Sequence, residues 1–235
     1  MIKFEHTEVL GWEHAIRGMR NPLNSWDKSD SFTCYEIEHC ELCHKFGDCP
    51  LEENEEGIVT YIGPNDLDLM TRLRNAGTDH RKFMRMLTVY VDITAPLYWW
   101  KEFDTYKVGT VANSCSTMHK IHAKEFTLDD FSREHLDHCS LSVLMDTIVC
   151  LNNNRKAFIG LKDKQFWWQM IQLLPTSYNQ KRTVMLNYEV LANMYQSRKA
   201  HKLDEWLDLC KWVESLPYAK ELICGESNRP DREAV

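Results

Sequence analysis

A chain of 235 residues with 43% hydrophobic and 11% aromatic content is long enough for one large domain or two small ones, and too apolar for disorder. Its formal net charge of -7 argues against a nucleic-acid polymer as partner, which would need a basic face, while leaving room for a nucleotide in a locally basic pocket. Nine Cys, an N-terminus (MIKFEHTEVLGWEHAIRGMR) without a signal-peptide apolar core and no apolar run of membrane-spanning length lead us to expect a soluble, cytoplasmic protein in a reducing compartment.

In chain order, Ile2 to Leu10 alternates loosely and reads as a first strand. Gly11 then opens a helical pattern with Trp12, Ala15, Ile16 and Met19 on one stripe, stopped by Asn21-Pro22. Arg17 and Arg20 lie off that stripe, as solvated or ion-paired side chains or as reach toward a ligand phosphate. From Ser25 to Gly57 helical periodicity is lost, and Cys34, Cys40, Cys43 and Cys49 fall within sixteen residues. The Cys-x-x-Cys pair lets two thiolates meet one tetrahedral metal, and the flanking Cys complete four ligands, so zinc is expected here. The outer gaps are not those of a common zinc finger, and unpaired thiols or a redox pair are the alternatives. We read residues 31–57 as a Cys-rich insertion within a single domain spanning 1–235.

Pro64 to Asn75 reads as an amphipathic helix with Leu67, Met70 and Leu73 on one face, ended by Ala76-Gly77. Leu87 to Ile93 (LTVYVDI) is the clearest strand. His80, Arg81, Lys82 and Arg85 at its mouth form either a ligand cluster or a solvated basic turn. Ala95 to Lys120 follows, with paired Trp and then a dense run of hydroxyl, amide and basic groups suited to fixing a phosphorylated ligand, or equally a capped polar loop. A helix is expected from about Ser132 through Leu151, and another over Asp163–Leu174 with Trp167, Met170, Ile171 and Leu174 in the core. Arg182 to Arg198 reads as one long helix that places Asn187 and Arg198 eleven residues apart, about 16 Å along one side. That pair could span a dinucleotide-sized ligand, or be a satisfied core amide and an end-of-helix cation. His201 to Leu216 is the last helix, with Trp206, Leu209, Cys210 and Val213 inward, and SNRPDREAV reads as a disordered tail. No GxGxxG, phosphate loop, Ser/Cys–His hydrolase signature or His-Glu-x-x-His motif is present.

Three blocks together resemble the flavin-dependent thymidylate synthases, the family often called ThyX. NDLDLMTRLRNAGTDHRKFMRMLTVYVDITAP is similar to the family's helix, its Gly-His-x-x-Pro-x-x-Glu-His turn and the strand ending in Ala-Pro, with Gly77 and His80 retained. TYKVGTVANSCSTMHK stands where the family has Arg-His-Arg-x-x-Ser-x-Asn-Glu-x-Ser-x-Arg. LLPTSYNQKRTVMLNYEVLANMYQSRKAHKLDEW resembles its Leu-Pro segment, an Asn and Arg eleven apart, and a Trp eight further on, here Asn187, Arg198 and Trp206. The likeness covers roughly residues 60–215. It departs at the Arg-His-Arg triplet, replaced by Thr105, Tyr106 and Lys107, at the motif Glu (Ser114), at the final Arg (Met118) and at the nucleotide-contacting Gln, where Glu102 stands. Lys and Met do not substitute freely for Arg at a bidentate phosphate site.

The resemblance implies an α+β fold with a twisted, mostly antiparallel sheet flanked by helices. It implies transfer of a one-carbon unit from a folate to dUMP with a hydride from reduced FAD and NADPH as electron source, in a homotetramer. It implies Tyr106, Lys107, Asn113, Asn187 and His80 toward FAD. Lys101, Glu102, Ser114, Ser116 and Lys120 fall toward the nucleotide, with Arg198 stabilising charge on the pyrimidine ring. A non-catalytic relative that binds a nucleotide or second messenger, or a zinc-stabilised interaction protein, are the other functions the departures leave open.

Overall fold

The computed structural model describes residues 2–34 and 59–225. The chain divides into two compact units: Met1–Glu8, Tyr90–Leu186 and Ser197–Trp212 form the first, and Val9–Val89, Asn187–Gln196 and Val213–Val235 the second.

The first unit is built on a four-stranded sheet of order β1-β4-β6-β5, from β1 (Lys3–Leu10), β4 (Thr88–Pro96), β5 (Val111–Ser114) and β6 (Asn179–Asn187). β5 and β6 run antiparallel with Val111 opposite Met185 and Ser114 opposite Arg182. In β4 the β-branched run alternates as its composition demands, burying Val89, Val91, Ile93 and Ala95. Pro96 ends the strand, and a short helix α3 (Leu97–Phe103) follows. It packs Trp99 edge-to-face on Trp100 and at a tilt against Phe103 and Trp206, with ring centroids 4.9–5.0 Å apart, and all four aromatics are buried. Trp206 comes from helix α7 (Asp204–Glu214), which buries Trp206, Leu209, Cys210 and Val213 as its periodicity predicts.

A second core in this unit lies between helix α4 (His138–Leu161) and helix α5 (Lys164–Leu173). Leu144, Ile148 and Leu151 meet Met170 there, with Trp167, Ile171 and Leu174 packed against them. α4 begins six residues later than expected and runs ten further. Its start is set by Asp137, whose carboxylate accepts the Ser140 amide at 2.7 Å, rather than by Ser132, which is buried and bonded to Asn179. Asn152, Asn153 and Asn154 lie inside it. Asn152 faces inward and bonds both the N–H and the C=O of Phe126, at 2.9 and 2.8 Å. The segment Ala95–Lys120, read as a polar stretch, therefore holds α3 and β5 and is half regular structure.

The single helix expected over Arg182–Arg198 is the largest correction. Its first six residues, Arg182 to Asn187, belong to strand β6, and only Tyr188–Arg198 is helical (α6). Val184 and Leu186 are buried on alternate positions, a period-2 pattern inside a window whose helical stripe Val184–Tyr188–Leu191–Tyr195 also scanned well. Ladder bonding to β5 decides between the two. Asn187 closes the strand, and its Oδ1 accepts the Val190 amide at 3.1 Å, so it caps α6 rather than lining its stripe.

The second unit holds helix α1 (Trp12–Arg20), with Trp12, Ala15, Ile16 and Met19 buried as expected, the antiparallel pair β2 (Phe32–Cys34) and β3 (Val59–Tyr61), and helix α2 (Pro64–Asn75). Gly11 caps α1 at φ +99, and a Cβ there would lie 2.1 Å from the Met86 carbonyl oxygen. Gly11→Ala is therefore expected to destabilise the protein by roughly 2–4 kcal/mol in chemical denaturation, and a loss under about 0.5 kcal/mol would contradict this account. α2 buries Asp66, Leu69 and Met70, turned from the predicted Leu67–Met70–Leu73 face because a polar residue is drawn inward. Arg20, buried on α1, donates from Nε to Asp66 at 2.6 Å and from its two terminal nitrogens to the Ser25 and Lys28 carbonyls. The other Asp66 oxygen accepts from the Ser29 and Ser31 hydroxyls and from the Asp30 and Ser31 amides. Burial alone pushes this carboxyl up, but the hydrogen bonds from Ser31, Ser29 and Arg20 outweigh it and hold it below the usual aspartate range.

Cys34 ends β2, paired with Val59. Cys40, Cys43 and Cys49, like the tail from Glu226, lie outside the described residues. Among the described residues no cluster of His, Cys, Asp or Glu is arranged to hold a metal, and no helix is long and apolar enough to cross a membrane.

Candidate functional site

The first unit gathers charged and aromatic side chains from three neighbouring pieces of chain. α3 contributes Glu102, the loop after it Tyr106, and the end of α6 with the start of α7 contributes Arg198, His201 and Trp206. The Arg198 guanidinium lies 4.4 Å from the Trp206 ring centre and 5.6 Å from that of Tyr106. Its Nε donates to the Tyr106 hydroxyl at 2.9 Å and its Nη1 to Glu102 Oε2 at 2.8 Å. Trp206 Nε1 donates to the same Glu102 oxygen at 3.0 Å, and His201 Nε2 stands 3.6 Å from it. The Leu203 amide donates to His201 Nδ1 at 3.1 Å, which leaves the ring proton on Nε2, aimed at Glu102.

One Glu102 oxygen is thus ringed by three donors while the other has no hydrogen-bond partner among the described residues. The same holds for the second terminal nitrogen of Arg198. With the Glu102 side chain 37% exposed and that of Arg198 18%, the cluster presents an open acceptor and an open donor on a rigid aromatic base. Such a pair can hydrogen-bond a heterocycle edge that offers C=O beside N–H. Trp206 is fully buried, and contact with it together with the bonds to Tyr106 and Glu102 holds the guanidinium in place, so little side-chain entropy remains to be lost on binding.

Of the residues predicted for the site, Arg198, Glu102 and Tyr106 meet here. Lys101 is exposed on α3, Lys107 in the following loop, and Asn113 and Ser114 on the edge of β5; Lys120 is exposed as well. None of these side chains bonds to the Arg198 cluster. Ser116 uses its hydroxyl oxygen to accept the Met118 and His119 amides at 3.2 and 2.8 Å, so it caps a turn. In the second unit, Asn187 is buried as a helix cap and His80 is exposed. The basic turn beside His80 is not free. Arg81 bonds Glu189 at 3.2 Å and Asn193 at 3.1 Å, and Arg85 bonds the same Glu189 carboxylate. Burial pushes the Glu189 carboxyl up, and the bonds and charges of Arg85 and Arg81 more than offset that and hold it low. Lys82 remains exposed.

Sequence reading missed His201. The available signal was its place three residues after Arg198, at a helix end where the chain turns back on the same indole. A cavity of about 380 Å³ was also not foreseen. It opens in the second unit between Ile16, Trp26, Phe32 and Thr60, and the Arg20 guanidinium on its wall is fully engaged by Asp66 and two carbonyls.

No family model matches this chain, and no curated protein matches it in sequence. Solved structures share its fold. Flavin-dependent thymidylate synthase ThyX from Helicobacter pylori, complexed with FAD and dUMP, gives a TM-score of 0.61 at 17% identity over 94% of this chain and 96% of that one. A second structure of that ThyX, also with FAD and dUMP, gives 0.61 at 17% identity over 96% and 99%. The UMP/dUMP methylase PolB from Streptomyces cacaoi, bound with 5-Br dUMP, gives 0.57 at 10% identity over 95% and 94%. The fold is α+β and ThyX-like.

Proposed function

We propose that this protein is a divergent ThyX-like flavoenzyme that transfers a one-carbon unit to a pyrimidine deoxynucleotide such as dUMP, working as a homo-oligomer. What supports the reading is the Arg198 cluster, a guanidinium packed over the Trp206 indole and bonded to the Tyr106 hydroxyl with one terminal nitrogen open, in a fold otherwise seen with dUMP and FAD. Bound FAD, reduced by NADPH, would supply the hydride that turns a folate-borne methylene, joined to pyrimidine C5 with loss of the C5 proton, into a methyl group. The chain's own part would be electrostatic and positional. Arg198 would hold the base and stabilise negative charge on the ring, while Trp206 and Tyr106 fix its plane. Lys107 and Asn113 fit a flavin's phosphates and ribityl hydroxyls, since both are exposed and neither side chain is bonded among the described residues. Lys101 or Lys120 would face the nucleotide phosphate.

The experiment is an absorbance spectrum of the purified protein after excess FAD is added and unbound FAD removed, followed by dUMP-dependent reoxidation of the reduced flavin. A retained flavin band is expected, and a colourless protein that ignores FAD would sink the enzyme reading.

One observation favours a second reading, a non-catalytic nucleotide binder. Glu102 stands 2.8 Å from Arg198 and already neutralises the charge that catalysis would use. Glu102→Gln separates the two. For the enzyme, freeing the guanidinium's charge raises kcat about threefold to tenfold. For the binder, it changes nucleotide affinity and produces no turnover.

A further inference from the structure

The open edge of the Arg198 cluster is built from two groups that cannot exchange roles. Glu102 Oε2 takes the Arg198 Nη1 donor at 2.8 Å and the Trp206 indole donor at 3.0 Å, with His201 Nε2 at 3.6 Å. That leaves Oε1 for a ligand, and a carboxylate oxygen accepts without donating. Arg198 spends Nε on Tyr106 and Nη1 on Glu102, so Nη2 is left, and a guanidinium donates without accepting. A side-chain amide could flip to suit either polarity. This pair cannot.

The two common pyrimidine edges meet such a pair differently. Cytosine offers its 4-amino N–H beside the N3 lone pair, one donor next to one acceptor, and beyond the amino group lies only C5–H. Uracil offers a single N3–H with a carbonyl oxygen on each side. One carbonyl can take Nη2, but the other is then driven against the Glu102 carboxylate. We propose that Glu102 is a specificity-determining residue that selects a 4-aminopyrimidine, so that a cytosine deoxynucleotide is preferred to the uracil one. The attraction is N4–H to Glu102 Oε1 together with Arg198 Nη2–H to N3. The rejection of uracil is its unpaired carbonyl facing a carboxylate. Negative charge gathered on cytosine N3 then faces the guanidinium rather than Glu102. The transfer at C5 is as given above for either base. The inference rests on the proposed function for the place of the base at Arg198, but not for turnover.

The test compares dCMP with dUMP on the wild type, Glu102→Gln and Glu102→Asp, by reoxidation of the reduced flavin and by equilibrium binding, with circular dichroism of each variant. The wild type is expected to favour dCMP at least about fivefold in kcat/KM and in Kd. Glu102→Gln, whose amide can donate to a carbonyl, is expected to move the dCMP-to-dUMP ratio at least about fivefold toward dUMP, while Glu102→Asp, which still only accepts, keeps the preference for dCMP. A merely structural role would weaken both nucleotides together and leave the ratio unmoved. A wild type that favours dUMP or treats the two alike, or a ratio that Glu102→Gln leaves unchanged, overturns the proposal while the enzymatic reading stands. Preferential dCMP binding that Glu102→Gln removes, without turnover of either nucleotide, supports base selection and ends the enzymatic reading. Binding of neither nucleotide overturns both. If Glu102→Gln does not fold, the wild-type ratio and Glu102→Asp decide.

Discussion

Replacing Arg198 with Ala is expected to lower nucleotide turnover at least about a hundredfold in kcat/KM, the size of effect seen when one preorganised charge-stabilising group is removed. The guanidinium is the only group of the cluster that is both cationic and partly open. Tyr106 and Trp206 orient it, and neither can replace its charge. The fold should survive, because Glu102 is 37% exposed and keeps the Trp206 indole donor, so losing its cation costs little. Arg198→Lys retains the charge but not the planar fork, and most of the loss should persist. Steady-state kinetics with dUMP, alongside circular dichroism of each variant, decides the matter. Turnover within about threefold of wild type for Arg198→Ala would move the catalytic site elsewhere.

Asp66→Ala is expected to cost roughly 3–5 kcal/mol of stability, because it leaves Arg20 buried without a counter-charge. The same change strips the partner from two Ser hydroxyls and the Asp30 and Ser31 amides, which pin the segment before β2 to α2. A melting temperature lower by roughly 6–20 °C would report it. The pair also predicts a pH dependence. The Asp66 carboxyl is held below its ordinary value in the folded chain, so the unfolded chain takes up the proton first as pH falls. Its contribution is fully present above the ordinary aspartate range, about pH 4, and drains away as pH drops through that range toward the lower folded value. In Asp66→Ala this part of the acid sensitivity should vanish. A variant melting within about 1 kcal/mol of wild type would contradict the assignment of the network as the anchor of the second unit.

Much of this architecture was legible from residue order. α1, the Pro64–Asn75 helix, the strand read at Leu87–Ile93 and the helix Asp204–Glu214 follow from apolar spacing bounded by Gly, Pro and capping residues, signals that act within a few residues of chain. Arg198, Glu102 and Trp206 were likewise picked out beforehand, by their places in a family-like spacing.

Where the reading went astray, the deciding partner lay far along the chain. RTVMLN satisfies both a 3.6 and a 2.0 period, and only pairing between β4 and β5, both roughly seventy or more residues earlier, selects the strand. The start and end of α4 depend on Asp137 winning the cap and on Asn152 finding Phe126. Asp66 looks like a surface residue of an amphipathic helix until Arg20, 46 residues away, draws it inside. The sequence by itself determined several of the helices and the central strand, which residues are apolar enough to bury, and which charged groups were available to a site. Only the tertiary structure decided which of those charges met. A pairing energy needs distance, and distance between remote residues is set by packing rather than by local pattern. That is why Arg198 could be singled out from the chain alone, while its neutralisation by Glu102 could not.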